Sequence, residues 1–132
     1  MIEASPVEQL DLTRVFGKRG HGLIDRIVTA LRQSVPLEEI WMFGSCARGE
    51  PGPGSDLDLL VVLPDDHGLA RPTLECYRAI QQLHSGVPID VVATTRSRWE
   101  RDSRDGFGPI GDAFREGIRL YGNRREESRA LV

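Results

Sequence analysis

The segment from Asp56 to Leu63 (DLDLLVVL) constrains this chain more than any other stretch. Its last five residues, Leu59 to Leu63, are all apolar, so neither side of the extended chain suits water. Such a run predicts a strand buried on both faces, which needs cover above and below. Asp56 and Asp58 sit two apart, so both side chains leave one face, the face shared with Leu60 and Val62. Two neighbouring carboxylates at the mouth of an apolar strand are costly unless something positive binds them. A divalent cation is the simplest answer, and hard oxygen donors favour Mg²⁺, with Mn²⁺ also suitable.

The flanking sequence supplies the cover. Leu23, Ile24, Ile27, Val28 and Leu31 recur at three and four, predicting an amphipathic helix from Gly22 to Ser34 that stops near Pro36. Glu39 to Phe43 (EIWMF) predicts a short strand cut off by Gly44-Ser45. Gly49 to Ser55 (GEPGPGS) is too rich in Gly and Pro for a regular element. Pro72 to His84 predicts a second helix, and Val87 to Thr94 (VPIDVVAT) a third strand. A charged stretch follows Arg96, then a Gly-rich break at Gly106 to Pro109. A last helix is expected, with Ile110, Ala113, Phe114, Ile118 and Tyr121 on one face and Gly122 as its cap. Helices alternating with three strands give an α/β (α+β) domain with a small mixed sheet flanked by helices. The organisation expected is a short helix or arm over 1–19, one domain over 20–122 and a polar tail over 123–132.

Composition narrows the function classes. A chain of 132 residues suits one domain. It holds no apolar run of about 18 residues, so no membrane span is expected. The first twenty residues include Glu3, Glu8 and Asp11 and do not form a secretory signal. The net charge of −3 argues against nucleic acid held through its phosphates, and no direct, stable nucleic-acid binding is expected. Cys46 and Cys76 have no paired spacing, which fits a reducing cytoplasm, and no local His or Asn makes Cys46 a nucleophile. His21, His67 and His84 are too scattered for a zinc site. Arg96, Arg98, Arg101 and Arg104 alternate with acids and read as a solvated face. Trp41 and Trp99 read as core or rim packing. The last helix and the polar tail are the expected partner-facing surface.

Asp90 stands between Ile89 and Val91, a lone acid in an apolar strand. If this strand pairs beside the Asp56–Asp58 strand, three carboxylates converge, and such a set suits a two-metal site. Upstream, Gly44-Ser45 ends a strand and Cys46-Ala47-Arg48 can begin a helical turn. Backbone N–H groups at such a turn cradle phosphate, glycine permits close approach, and Ser45 and Arg48 add a hydroxyl donor and a fixed positive charge. A phosphate cradle beside an acid cluster points to a nucleoside triphosphate bound with Mg²⁺.

Gly44-Ser45-Cys46-Ala47-Arg48-Gly49, followed by Ser55-Asp56-Leu57-Asp58-Leu59, resembles the nucleotidyltransferase superfamily that includes DNA polymerase beta, and in particular its minimal nucleotidyltransferase (MNT) branch. Pro88-Ile89-Asp90-Val91-Val92 resembles that family's third-carboxylate strand, and the stretch from Phe114 to Tyr121 its C-terminal segment. The resemblance implies a polymerase-beta-like fold over about residues 20 to 122. It implies Asp56, Asp58 and Asp90 as catalytic ligands of two Mg²⁺ ions, with Asp90 also orienting or deprotonating the acceptor hydroxyl. Gly44 and Ser45 would hold the β- and γ-phosphates of ATP, with Arg48 and Ser55 alongside.

Minimal members of this kind are typically antitoxins paired with a HEPN-domain RNase toxin. The resemblance therefore implies transfer of AMP from ATP to a tyrosine hydroxyl of such a cognate toxin. Two alternatives stay open: a nucleotide-binding antitoxin that masks its partner by contact alone, and the catalytic half of a small-molecule (aminoglycoside-type) adenylyltransferase.

Overall fold

The structure, a computed structural model, describes residues 12–49 and 56–122. The described chain begins with a short helix α1 (Thr13–Phe16) and a 3₁₀ turn (Gly17–Gly20). Then follow α2 (Leu23–Ser34), β1 (Glu39–Phe43) and the one-turn α3 (Ser45–Arg48). Next come β2 (Leu57–Leu63), α4 (Pro72–Gln81) and β3 (Ile89–Thr95). The order closes with α5 (Arg96–Asp102), α6 (Gly108–Glu116) and β4 (Ile118–Tyr121).

Four strands form one mixed sheet in the order β3-β2-β1-β4. β1 runs antiparallel to β2 and β4, while β2 and β3 are parallel, joined through α4. The apolar run of β2 explains its place inside the sheet, because both of its faces find cover. Leu57, Leu59, Val61 and Leu63 pack with Leu23, Ile27 and Leu31 of α2 and Cys76, Ala79 and Ile80 of α4. Leu60 and Val62 point the other way, onto Trp99 of α5 and Ala113 of α6. Each such side chain contributes roughly 1.5–3 kcal/mol on full burial, so the larger cluster on the first face dominates the fold. The second face is thinner, and the carboxylates stand at its uncovered end.

Several expectations need correction. The last helix does not reach Tyr121. It ends at Glu116, and Ile118–Tyr121 is a fourth strand at the sheet edge, so Gly122 follows a strand instead of capping a helix. Gly117 makes the break: its backbone is extended, and a Cβ there would run into the Ala113 carbonyl. The spacing of Phe114, Ile118 and Tyr121 fits a helix face, but Arg119 lies over the Trp41 ring, 6.0 Å from its centre, which needs β4 beside β1. The charged stretch after Arg96 is helix α5, started by the Thr95 hydroxyl, which accepts from the Arg98 N–H.

Smaller differences are of boundary only. α4 stops at Gln81, not His84, and β3 spans Ile89–Thr95, not Val87 to Thr94. The expected 1–19 arm is partly described: Leu12 and Phe16 are buried in the main core. Residues 1–11, the loop over 50–55 and the tail over 123–132 lie outside the described residues.

Trp41 and Trp99 pack with ring centres 5.0 Å apart, as core residues. Arg98 and Arg101 are solvated, whereas Arg96 is half-buried and pairs with Glu38 and Glu39. Among the described residues no helix is long and apolar enough to cross a membrane.

Candidate active site

Three strand ends meet at one end of the sheet: β1 leaves there, and β2 and β3 start there. Register fixes what they carry. Phe43 pairs with Asp58 across the antiparallel ladder, and Asp58 pairs with Asp90 across the parallel one. Residues in register on neighbouring parallel strands, about 4.8 Å apart, present their side chains to the same face. Asp56 lies two residues before Asp58, its neighbour Leu57 anchored by an N–H···O bond of 2.9 Å to the Pro88 carbonyl. All three acids therefore share one face, with Asp56 and Asp90 exposed and Asp58 half-buried.

Their proximity shows in electrostatics. Burial raises the Asp58 carboxyl above the ordinary carboxylate range, and the negative charges of Asp90 and then Asp56 raise it further, while Arg48 opposes them. A cation would relieve that repulsion on Asp58. Among the described residues no group of three His, Cys, Asp or Glu side chains is placed to hold a metal ion. The acids are aligned, not caged.

Gly44 is required twice over. Its backbone (φ 78°, ψ −161°) lies in a region that only glycine adopts readily, and a Cβ there would strike the Asp58 carboxylate. The turn into α3 is thus pressed directly against Asp58. Arg48 N–H donates to the Gly44 carbonyl at 3.1 Å, closing the turn, and the Cys46 thiol donates to the Asp56 carbonyl at 3.5 Å. The Gly44-Ser45 turn and the acid strand are in this way one unit.

Cys46 is a buried packing residue. Burial, with Asp58 next, pushes its thiol up, the reverse of an activated nucleophile. The Arg48 guanidinium donates to Glu116 of α6 at 2.8 Å. Glu116 gave no signal in the sequence, because 68 residues separate the pair. Ser55 lies outside the described residues. A cleft of 470 Å³ opens beside Asp56 and Asp90, between the end of α4 and the start of β3. It brings in Tyr77, which the sequence offered only as one more position on a helix.

The fold has counterparts. The nucleotidyltransferase domain family model matches residues 24–119. Among solved structures, a toxin–antitoxin complex with AMP-PNP is 20% identical with a TM-score of 0.53, over 80% of this chain and 78% of that one. The MNT antitoxin complex with tri-AMPylated HEPN toxin from Shewanella oneidensis is 17% identical with a TM-score of 0.53, over 83% and 77%. A candidate nucleotidyltransferase from Sulfolobus solfataricus is 16% identical with a TM-score of 0.50, over 95% of each chain. At these identities the likeness is one of fold. No curated protein matches the chain in sequence.

Proposed function

The chain belongs to the nucleotidyltransferase domain family, and on that premise we propose that it is a protein adenylyltransferase of the antitoxin kind. It would transfer AMP from ATP to a tyrosine hydroxyl of a cognate HEPN-type toxin. The observation that carries this reading is the register of Asp58 with Asp90, with Gly44 packed against Asp58. That one arrangement supplies an acid cluster and a glycine turn in contact.

In this reading Asp56, Asp58 and Asp90 hold divalent cations, Mg²⁺ or Mn²⁺. Three carboxylates on one face are hard oxygen donors that suit such ions, and a cation would relieve the repulsion that Asp90 and Asp56 exert on Asp58. Bound ions would neutralise charge on the transferred group and its leaving pyrophosphate. Gly44 and Ser45 offer donors to the β- and γ-phosphates. The acceptor oxygen bonds to the α-phosphorus, the bond to the bridging oxygen breaks, pyrophosphate departs, and the acceptor proton passes to Asp90. The two free, buried cysteines support a cytoplasmic setting.

The test is transfer of labelled AMP, from α-labelled ATP with Mg²⁺, to the product of the neighbouring gene. Asp56→Asn/Asp58→Asn should lower transfer by about 10²-fold or more while leaving the protein folded. Undiminished transfer by that double variant overturns the reading. Full neutralisation of the toxin by a transfer-dead variant would instead favour masking by contact.

A further inference from the structure

β3 is an outer strand of the sheet, and its hydrogen bonding can be followed residue by residue. Leu57 pairs with Ile89 and donates its N–H to the Pro88 carbonyl. In a parallel ladder that bond commits the backbone groups of Asp90, Val92 and Thr94 to β2. The N–H and C=O groups of Ile89, Val91 and Ala93 therefore face away from the sheet. Ala93 bears this out, since its N–H donates outward to the Thr73 hydroxyl of α4 at 3.1 Å. No described strand lies beyond Ile89 and Val91, so their backbone groups form a short open edge, a template for one more strand.

The ground beside this edge suits a side chain. A largely apolar hollow of 570 Å³ lies between it and α4, lined by Pro72, Leu74, Tyr77 and Val91, with Asp90 at its border. Ile89, Val91 and Ala93 turn their side chains into the α4-covered core. Every second side chain of an added strand would point to that same face and meet the hollow. Tyr77 keeps 45% of its surface exposed, a large ring with little to cover it. The cation of the described lining is the exposed Arg71 before α4, which makes no ion pair among the described residues.

We propose that the β3 edge is a docking site for a short extended segment of a partner protein, which adds a fifth strand to the sheet. Its backbone bonds to Ile89 and Val91, an apolar side chain enters the hollow against Leu74 and Tyr77, and an acidic side chain two positions along meets Arg71. Docking here needs neither nucleotide nor metal, so it is independent of the transfer reading above. A second copy of the chain fits poorly. Antiparallel pairing of two β3 edges centred on Asp90 sets the two Asp90 carboxylates opposite each other. Moving the centre to Val91 sets Ile89 opposite Ala93, whose N–H Thr73 already holds.

The experiment is an NMR titration of the whole chain, without nucleotide, with two strand peptides of opposite direction, Ac-Glu-Thr-Ile-Thr-Val-Thr-NH₂ and Ac-Thr-Val-Thr-Ile-Thr-Glu-NH₂. One of them should move the amide protons of Ile89 and Val91 downfield and slow their exchange with solvent, while the bonded Ala93 amide changes least. Of the two sets of alternate peptide nitrogens, methylation of one should abolish binding and methylation of the other should leave it intact, which an apolar contact without strand pairing would not produce. Arg71→Ala should weaken the peptide by about threefold, and replacing the peptide's Glu by Gln should do the same to the parent protein but nothing further to Arg71→Ala. Neither peptide binding, shifts confined to another surface, or indifference to both methylations overturns the assignment. Ile89 and Val91 signals that move with protein concentration alone would give the edge to a second copy and overturn it too.

Discussion

Gly44 shows how a single residue can serve fold and site together. Its positive φ and the absence of space for a Cβ beside Asp58 are separate demands. Gly44→Ala should therefore cost about 1–3 kcal/mol in urea unfolding, and a strain of that size cannot be relieved without moving Asp58. The same variant should lose AMP-CPP binding at temperatures where it remains folded. Retained binding would show that the turn does not hold phosphate. The two cysteines lead to the opposite expectation. Burial pushes the Cys76 thiol up to about 12, and Cys46 is raised too. Neither thiol should react appreciably with iodoacetamide at pH 8 in the native protein, and both should react in denaturant. Fast native labelling of Cys46 would contradict its packing role.

At the scale of elements, legibility followed how much of the signal was local. β2 was readable because five consecutive apolar residues demand two covered faces, and β1 because Gly44 ends it abruptly. Asp90 was readable only conditionally: its meaning depended on β3 pairing with β2, which register now supplies. α5 was not readable, since Trp99 is its sole buried residue and its other members are charged or small. β4 was misread because Ile118 and Tyr121 satisfy helical spacing, while the evidence against a helix, Gly117 against Ala113 and Arg119 over Trp41, exists only in three dimensions.

Arg96 illustrates the same point, because its run reads as solvated while Arg96 itself neutralises the buried Glu39. Arg96→Ala should cost about 1–3 kcal/mol in chemical unfolding, since it strands a buried carboxylate. Arg115→Ala, which breaks an exposed pair with Asp112, should cost less than about 1 kcal/mol. Equal effects would refute the distinction. A pH dependence belongs here as well. The Ser97 N–H donates to Asp65 at 3.0 Å, and this bond is the main cause holding the Asp65 carboxyl below its ordinary range. A depressed carboxyl stabilises the fold above the unfolded-state value of about 3.9 and loses that contribution as pH falls through the folded value. Asp65→Ala should thus melt lower than the parent at pH 7, with the gap closing as pH falls below the ordinary carboxylate range.

For the whole molecule, the open question is how the acid cluster communicates with the thin side of the sheet. An ion pair joins the Gly44-Ser45 turn to a distant element, Arg48 to Glu116 at the end of α6, with 43% and 34% of the two side chains exposed. At that exposure the pair contributes little stability, under about 1 kcal/mol, so Glu116→Gln should barely move the melting temperature. Its effect on ligand should be larger. Arg48 also lowers the cost of charge on Asp58, as the last of the four influences on that carboxyl. A triphosphate carries more charge than one carboxylate, so it should draw Arg48 from Glu116 when it binds. Glu116→Gln removes the competitor and should tighten Mg²⁺·AMP-CPP binding by about two- to fivefold, whereas Arg48→Ala should weaken it by about tenfold. In the double variant the Glu116 change should have no further effect, because the residue it competed for is gone. Calorimetric titrations of the four proteins at one salt concentration would decide the matter. Independent, additive effects would mean that Arg48 serves the turn and α6 without ever meeting the nucleotide.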